Sequence, residues 1–350
     1  MESSTEFIDR MAKVLVFGSE GSLMQSVIPK LLAAGHEVIG FDNLFRYGER
    51  RESAKKLDYR YFNTDLSEPY DDDMRAFIRD ADYIIQAAAR IFGVGGFNQF
   101  EADILSYDVN IQHNLLTSIV EEFKFQSRPK PHVVYISSSM VYETCPTPDG
   151  GVGETDVEHY PAPRTAYGLS KYVGERMLKH YTKQYGIPYT IWRPFNIITP
   201  HEPADKNDIG VSHVFADFIE NIVVRKMNPL PIIGDGEQIR CFTWIEDVAS
   251  GIADNLGHHN TLNQAFNLGN TEAWSMKDLA RMIYFAAQYE GVISKDAPPL
   301  EFVTVKEFLN DVRIRIPNCD KAHMLLNWKA KKKTVESVNE CVKHLLTNQA

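Results

Sequence analysis

Cysteine is scarce in this chain: Cys145, Cys241, Cys319 and Cys341 are the only four among 350 residues, and no two form a CxxC pair. That excludes a zinc knuckle or a disulfide framework and fits a reducing, cytoplasmic setting. No stretch approaches the roughly 18 apolar residues of a membrane-crossing helix, and the charged first dozen residues lack the apolar centre of a secretory leader. Neither crossing nor entering a membrane is expected. Basic residues are not in excess either, since 37 Lys plus Arg stand against 47 Asp plus Glu, a net charge of −10. Such a surface works against attraction to nucleic acid or anionic lipid, so an anionic ligand has to be held by a few placed cations. No internal repeat, low-complexity tract or metal-ligand cluster stands out.

What is present is ordinary globular material, 44% apolar and 24% charged, enough for about two structural units at roughly 150 residues each. Lys13–Phe17 is a short apolar run of strand formers, a glycine-bearing turn follows, Leu23–Ala34 has helical spacing, and Glu37–Phe41 is again a buried-type strand. Strand-like and helical segments then alternate: Tyr59–Phe62, Asp71–Arg79, Tyr83–Ile85, Ile104–Phe123, His132–Ile136, Ala166–Tyr185 and Tyr189–Trp192. Parallel strands need crossovers, so the expected class is α/β, a doubly wound parallel-sheet Rossmann domain. After Pro194 the pattern breaks into Pro- and Gly-punctuated pieces, with helices expected near His213–Lys226, Met276–Tyr289 and Thr334–Leu346. The expected organisation is an N-terminal extension over 1–12, a Rossmann domain over 13–195 plus about 240–270, and a smaller C-terminal α/β substrate domain over 196–239 and 271–350.

Gly18-Ser-Glu-Gly21 lies where the first strand turns into the first helix, a place where backbone N–H groups and a positive helix end receive a pyrophosphate. A bare glycine pair says little; the strand before, the helix after and Asp42 at the end of the second strand make the pattern specific. Asp42 is placed to accept from ribose hydroxyls and repels a 2′-phosphate, which favours NAD over NADP. Where a third glycine would let the helix approach the strand, Met24 stands instead, and its side chain is expected to push or tilt the first helix outward unless small residues in the sheet compensate.

Further matches accumulate in order. Tyr167-Gly-Leu-Ser-Lys171 is a Tyr-x-x-x-Lys, and Ser137-Ser-Ser-Met-Val-Tyr142 a Ser-Ser-x-x-Val-Tyr. Arg193-Pro-Phe-Asn196, Gln238-Ile-Arg240, Asp247-Val248, Phe266-Asn-Leu-Gly269, Arg315-Ile-Pro317 and Asn327-Trp328 follow. From about Lys13 to Trp328 the chain resembles an extended short-chain dehydrogenase/reductase, the NAD-dependent nucleotide-sugar epimerase/dehydratase family. The resemblance implies a catalytic trio of Tyr167, Lys171 and Ser138. It implies NAD contacts at Gly18, Gly21, Ser22, Leu23, Asp42, Asn43, Asp65, Leu66, Ala87, Ala88, Ala89 and Lys171, with Gln86 replacing a common histidine. It implies substrate contacts at Ser139, Met140, Asn196, Arg240 and Arg315, and a homodimer formed through the two long helices. Arg240 and Arg315 suit a diphosphate because guanidinium binds phosphate oxygens in bidentate fashion. Taken alone, each is more often a surface ion-pair partner; the motif context reverses that reading.

The trio has a physical purpose. Tyrosine, with a pKa of about 10, is a poor base at neutral pH; an ammonium one helical turn away and an oxidised nicotinamide favour its phenolate. Tyr167 would then take a sugar hydroxyl's proton as hydride leaves carbon, with Ser138 holding the same oxygen. The family's 4,6-dehydratases carry an Asp-Glu pair, and its decarboxylases a Glu, where this chain has Ser139 and Met140; Met140 also replaces the cysteine of GDP-fucose synthases and GDP-mannose 3,5-epimerases. By subtraction the reading is C4 epimerisation of a nucleotide-diphosphate hexose or uronic acid. A dehydratase or 3,5-epimerase is the alternative within the family, and a non-catalytic NAD-binding regulatory or RNA-associated protein the alternative outside it. Against simple C4 chemistry, Glu143 stands where glycine is usual, Ile197-Ile-Thr-Pro200 replaces Tyr-Gly-Pro, and Gly93-Val-Gly-Gly96 resembles the GDP-sugar branch. Glu143 and Cys145 are candidates for proton transfer at C3 or C5, and the polar segment His201–Asp208 for contact with sugar or base.

Overall fold

The computed structural model describes residues 11–202, 204, 212–306 and 312–349. The N-terminal extension, but for Met11 and Ala12, and most of the segment His201–Asp208 lie outside them. The first half lays down β1 (Lys13–Phe17), α1 (Met24–Ala33), β2 (Glu37–Asp42), α2 (Glu52–Lys55), β3 (Arg60–Asn63), α3 (Asp72–Asp80), β4 (Tyr83–Gln86), α4 (Val94–Gln99), α5 (Glu101–Glu122), β5 (His132–Ile136), α6 (Ala166–Tyr185) and β6 (Tyr189–Pro194). The second half adds β7 (Ile197–Ile198), α7 (Val214–Ile219), β8 (Leu230–Ile233), β9 (Ile239–Cys241), β10 (Thr243–Trp244), α8 (Ile245–Ala253), β11 (Gln264–Leu268), β12 (Ala273–Ser275), α9 (Met276–Tyr289), β13 (Phe302–Val305), β14 (Ile314–Arg315), α10 (Asp320–Leu326) and α11 (Thr334–Gln349).

Seven parallel strands form the main sheet in the order β11-β6-β5-β4-β1-β2-β3. The period-2 alternation of side chains explains why β1 is apolar throughout. Leu15 and Phe17 join a core with α3, α5 and α6 on one face; Val14 and Val16 join another with α1, α8 and α10 on the other. Helices on both faces of a parallel sheet make this the doubly wound Rossmann arrangement, and the sheet reverses its winding between β1 and β4. Ligands of such sheets bind at the carboxyl ends of the strands beside that reversal.

The second half returns to this sheet through β11 and also builds small sheets of its own, β12-β9-β14, β13-β8 and β10-β7. A third core, from α7, α9, α11 and β8, supports them. The helix expected near 213–226 is shorter than its apolar spacing suggests: α7 stops at Ile219 and the chain continues as a π-turn over Glu220–Val224.

Candidate active site

A cavity of about 380 Å³ opens at the carboxyl ends of β1, β4, β5 and β6 and runs under the small sheets. Its walls include Gly18, Gly21, Ser22, Leu23, Asp42, Asn43, Leu66 and Ala87–Ala89 at one end. Ser138, Ser139, Met140, Tyr167 and Asn196 stand at its middle, and Arg240 and Arg315 beyond. Residues spread over nearly the whole sequence converge on one space.

The first end suits a dinucleotide. Gly18 has φ +81°, and a Cβ there would come within 2.7 Å of the Ala88 nitrogen, so the turn after β1 lies directly on the end of β4 and only glycine fits. The start of α1 has neither a side-chain cap nor an acidic residue in its first turn, so its positive end faces the cavity uncompensated. Asp42 ends β2 as expected, and its carboxylate also braces the loop, accepting the N–H groups of Glu20 at 3.1 Å and Leu44 at 2.7 Å. Burial pushes its pKa above the ordinary value against the pull of those two bonds. Met24 does not stand out into solvent: it is 1% exposed and shares the core of Val14, Val16, Val27 and Ile28 while bordering the cavity.

Asp65 is placed differently from the other cofactor candidates. Thr64 and Leu66 line the cavity, whereas Asp65 accepts from Ser67 Oγ at 2.7 Å, Tyr107 Oη at 2.9 Å and Asn43 Nδ2 at 3.3 Å. Burial works to raise its carboxyl, but those bonds outweigh it and hold the pKa low. It therefore anchors Asn43, which is itself at the cavity wall.

The catalytic candidates are set by two local structures. Ser138 caps a 3₁₀ turn over Ser139–Tyr142, its Oγ accepting the Met140 N–H at 3.1 Å. Tyr167 lies in the first turn of α6, whose cap is Thr165, with Oγ1 accepting the Gly168 N–H at 3.2 Å. Gly168 is required because a Cβ there would meet the Met140 carbonyl oxygen at 2.9 Å; the helix rests on the turn. Ser138 and Tyr167 thereby meet at the cavity wall. Burial raises the Tyr167 pKa, and the nearby Ser138 hydroxyl and the Arg315 charge act to lower it. Lys171 is not at the cavity wall. It is 3% exposed, and Nζ donates to the Ile136 carbonyl oxygen at 3.0 Å beneath the tyrosine.

At the other end β9 and β14 run parallel with Arg240 and Arg315 in register, so their side chains project from the same face. Arg315 Nη1 lies 2.9 Å from Met140 Sδ, beside the 3₁₀ turn. Asn196 Nδ2 donates to the Cys241 carbonyl oxygen at 3.2 Å.

Several signature residues turn out to be buried supports. Arg193 pairs with Glu175 through two bonds of 2.8 and 2.6 Å and donates to Tyr142 Oη at 2.7 Å; Tyr142 donates to Asn267 Oδ1 at 2.7 Å. This fully buried network lies under Ser137, whose hydroxyl also reaches Glu175 at 2.6 Å. Likewise Trp328 Nε1 donates to the Asp247 carbonyl oxygen at 2.9 Å, tying two distant motifs together.

Glu143 and Cys145 stand apart from the cavity wall. The Glu143 carboxylate accepts from Arg164 N at 3.0 Å and from Thr165 N and Oγ1 at 3.0 and 2.6 Å, so it fixes the start of α6. Cys145 is buried among Val141, Val152 and Phe195, and burial pushes its thiol up to about 11. Two acid–base groups that no motif signals do line the cavity: Glu202 accepts from Arg46 Nη2 at 3.3 Å and pairs with His213 Nδ1 at 2.6 Å. Burial alone would raise Glu202 and lower His213; their mutual attraction reverses both. The polar character of the 201–208 segment was the only trace of Glu202 in the sequence, and His213 figured there only as the start of an expected helix.

Comparison with known proteins places this geometry. A family model, the NAD dependent epimerase/dehydratase family, matches residues 14–269. A Methanocaldococcus jannaschii protein named "Putative UDP-glucose 4-epimerase" is 29% identical over 286 residues, covering 81% of this chain and 86% of that one. Among solved structures, UDP-glucose 4-epimerase of Thermotoga maritima with UDP-glucose superposes with a TM-score of 0.78 at 22% identity, over 97% of this chain and 100% of that one. The dTDP-glucose 4,6-dehydratase of Streptomyces venezuelae, with NAD bound, gives 0.78 at 18% identity over 96% and 98%.

Proposed function

The chain belongs to the NAD dependent epimerase/dehydratase family, and from that premise we propose that it epimerises a nucleotide-diphosphate hexose or uronic acid at C4. The observation that carries this reading is the meeting of Ser138 and Tyr167 at the cavity wall, with Arg240 and Arg315 in register beyond it.

NAD, when bound, accepts the hydride from the sugar carbon and later returns it. Gly18, Gly21, Ser22 and Leu23 would hold its pyrophosphate, Asp42 a ribose, and Ala87–Ala89 leave room beside the sheet for the nicotinamide. Arg240 and Arg315 grip the diphosphate of the sugar nucleotide and fix how far the sugar reaches toward Tyr167. As phenolate, Tyr167 takes the proton of the C4 hydroxyl while the C–H bond breaks and a 4-keto sugar forms. Ser138 donates to that same oxygen. When the ketone has turned over, the proton returns from Tyr167 to oxygen and the opposite C4 configuration results. No further acid is required. Ser139 and Met140 supply neither the carboxylic acid nor the carboxylate that removal of water needs, which supports epimerisation over dehydration.

Glu202 and His213 favour a second reading, proton exchange at C3 or C5 of the keto sugar, because they put an acid–base pair in the cavity wall. Incubation with UDP-, GDP- and dTDP-sugars in deuterium oxide, followed by NMR of the products, separates the two. A C4 epimer without solvent deuterium supports the first; deuterium at C3 or C5 supports the second; absence of any product with every nucleotide sugar overturns both.

The long helices α5 and α6 lie side by side on one face of the sheet, which supports a homodimer formed through them. A monomeric mass in solution would contradict it. The division of labour proposed is cofactor binding by 13–195 with 240–270, and substrate binding by 196–239 and 271–350.

A further inference from the structure

Asp108 is a carboxylate in the interior, 7% exposed, on the buried side of α5. Its Oδ1 accepts the Arg90 N–H at 2.8 Å, and its Oδ2 accepts the Ser170 hydroxyl at 2.8 Å. That hydroxyl also lies 3.0 Å from the Tyr167 carbonyl oxygen, and Ser170 directly precedes Lys171. The carboxylate of one helix is therefore fastened to the very turn of the next that carries the tyrosine and the lysine.

A buried ammonium needs a counter-charge, because desolvation otherwise drives it to its neutral form. Lys171 has the Ile136 carbonyl oxygen at 3.0 Å and the Tyr135 ring face at 5.3 Å, and neither carries charge. Two carboxylates act on it, Asp108 and Glu175. Glu175 is already matched by the Arg193 guanidinium, which holds it with bonds of 2.8 and 2.6 Å. Asp108 is held by a backbone N–H and a hydroxyl, both neutral donors, with the Arg90 charge acting on it only through space; burial raises its pKa, and the Lys171 charge is the largest influence working to keep it ionised. The groups that face Asp108 are thus Lys171, Tyr167 and Glu175 of α6, Tyr135 of β5 and Arg90 after β4.

We infer that Asp108 is a positioning residue whose carboxylate keeps Lys171 as an ammonium beside Tyr167. The inference deepens the proposed epimerase reading and rests on it for the role of Tyr167. The sign follows from charge alone. Removing a buried negative charge makes the proton of a neighbouring ammonium easier to lose, so Lys171 titrates at lower pH.

The test needs no sugar. Full-length protein carrying lysine labelled with ¹³C at Cε is titrated with and without NAD⁺, and the Lys171 signal is assigned by its loss in Lys171→Arg. In Asp108→Asn, which keeps the shape of the side chain, the Lys171 midpoint should fall by about one unit or more, a tenfold loss of proton affinity. Should that variant not fold, Ser170→Ala removes a donor to the carboxylate and should move the midpoint in the same direction by less. An unchanged midpoint in whichever variant folds overturns the inference. A shifted midpoint in a protein that turns over no nucleotide sugar would sink the epimerase reading and leave the electrostatic role of Asp108 standing.

Discussion

Lys171 Nζ lies 5.8 Å from the centre of the Tyr167 ring and gives its hydrogen bond to Ile136, not to the phenol. The lysine therefore stands near the tyrosine ring without bonding its hydroxyl, while the Ser138 hydroxyl acts on that hydroxyl. Burial dominates the Tyr167 environment and keeps its proton on, with Asp108 and Glu202 adding to it; Ser138 and the Arg315 charge offset it, as an oxidised nicotinamide would when bound.

That ranking makes the Ser138 contribution measurable. Its loss in Ser138→Ala disfavours the phenolate, so the limb of kcat/KM that rises as Tyr167 ionises should move to higher pH. A bond to a charged group contributes about 1.5–3 kcal/mol, which corresponds to roughly one to two pH units. The pH profile of the variant checks this, and a limb that stays in place would remove Ser138 from the mechanism.

The paired arginines should separate binding from chemistry. Arg240→Ala or Arg315→Ala removes a guanidinium from the diphosphate and is expected to weaken substrate binding by about 2–5 kcal/mol. NAD content should be unchanged, since both residues sit at the far end of the cavity from Gly18. Calorimetric titration with the nucleoside diphosphate alone measures the effect without turnover.

Beneath the site, Arg193→Met leaves Glu175 buried without its partner, a loss of about 3–5 kcal/mol in stability, whereas replacing both residues by apolar ones should cost less. Urea unfolding of the single and double variants gives the comparison. A single variant as stable as the parent would mean that the Tyr142–Arg193–Glu175 network is dispensable.

Met24 offers a test of how its side chain is used. Because it fills the core against Val14, Val16 and Val27, Met24→Ala should cost about 2–5 kcal/mol of stability. A large gain in NAD affinity without loss of stability would show that the thioether obstructs the turn instead of filling the core.

Much of this was legible before any coordinates. The alternation of β1, α1 and β2 announces its own connectivity, and Thr165 and Gly186 bound α6 where its spacing ends. Local signals also carried Ser138, Tyr167 and Asp42 to the cavity. What stayed hidden depends on register between distant segments. Nothing around Arg240 says that it will pair with Arg315, and nothing in the α5 pattern distinguishes Asp108, buried, from Glu101 and Asp103, exposed. Arg193 and Asn267 stood in sequence only as members of their motifs, and nothing there tells that both meet the Tyr142 hydroxyl in the interior. Nor does the sequence tell that the Met24 side chain packs into the core with Val14 and Val16.

The central claim is that Tyr167 moves the proton while hydride passes between the sugar and NAD. Tyr167→Phe, compared with the parent at equal bound NAD, should yield no detectable C4 epimer by NMR, a loss of at least about 10²–10⁴-fold. Epimer formed at a rate near that of the parent would contradict the account, because the hydroxyl on which it depends would be doing nothing.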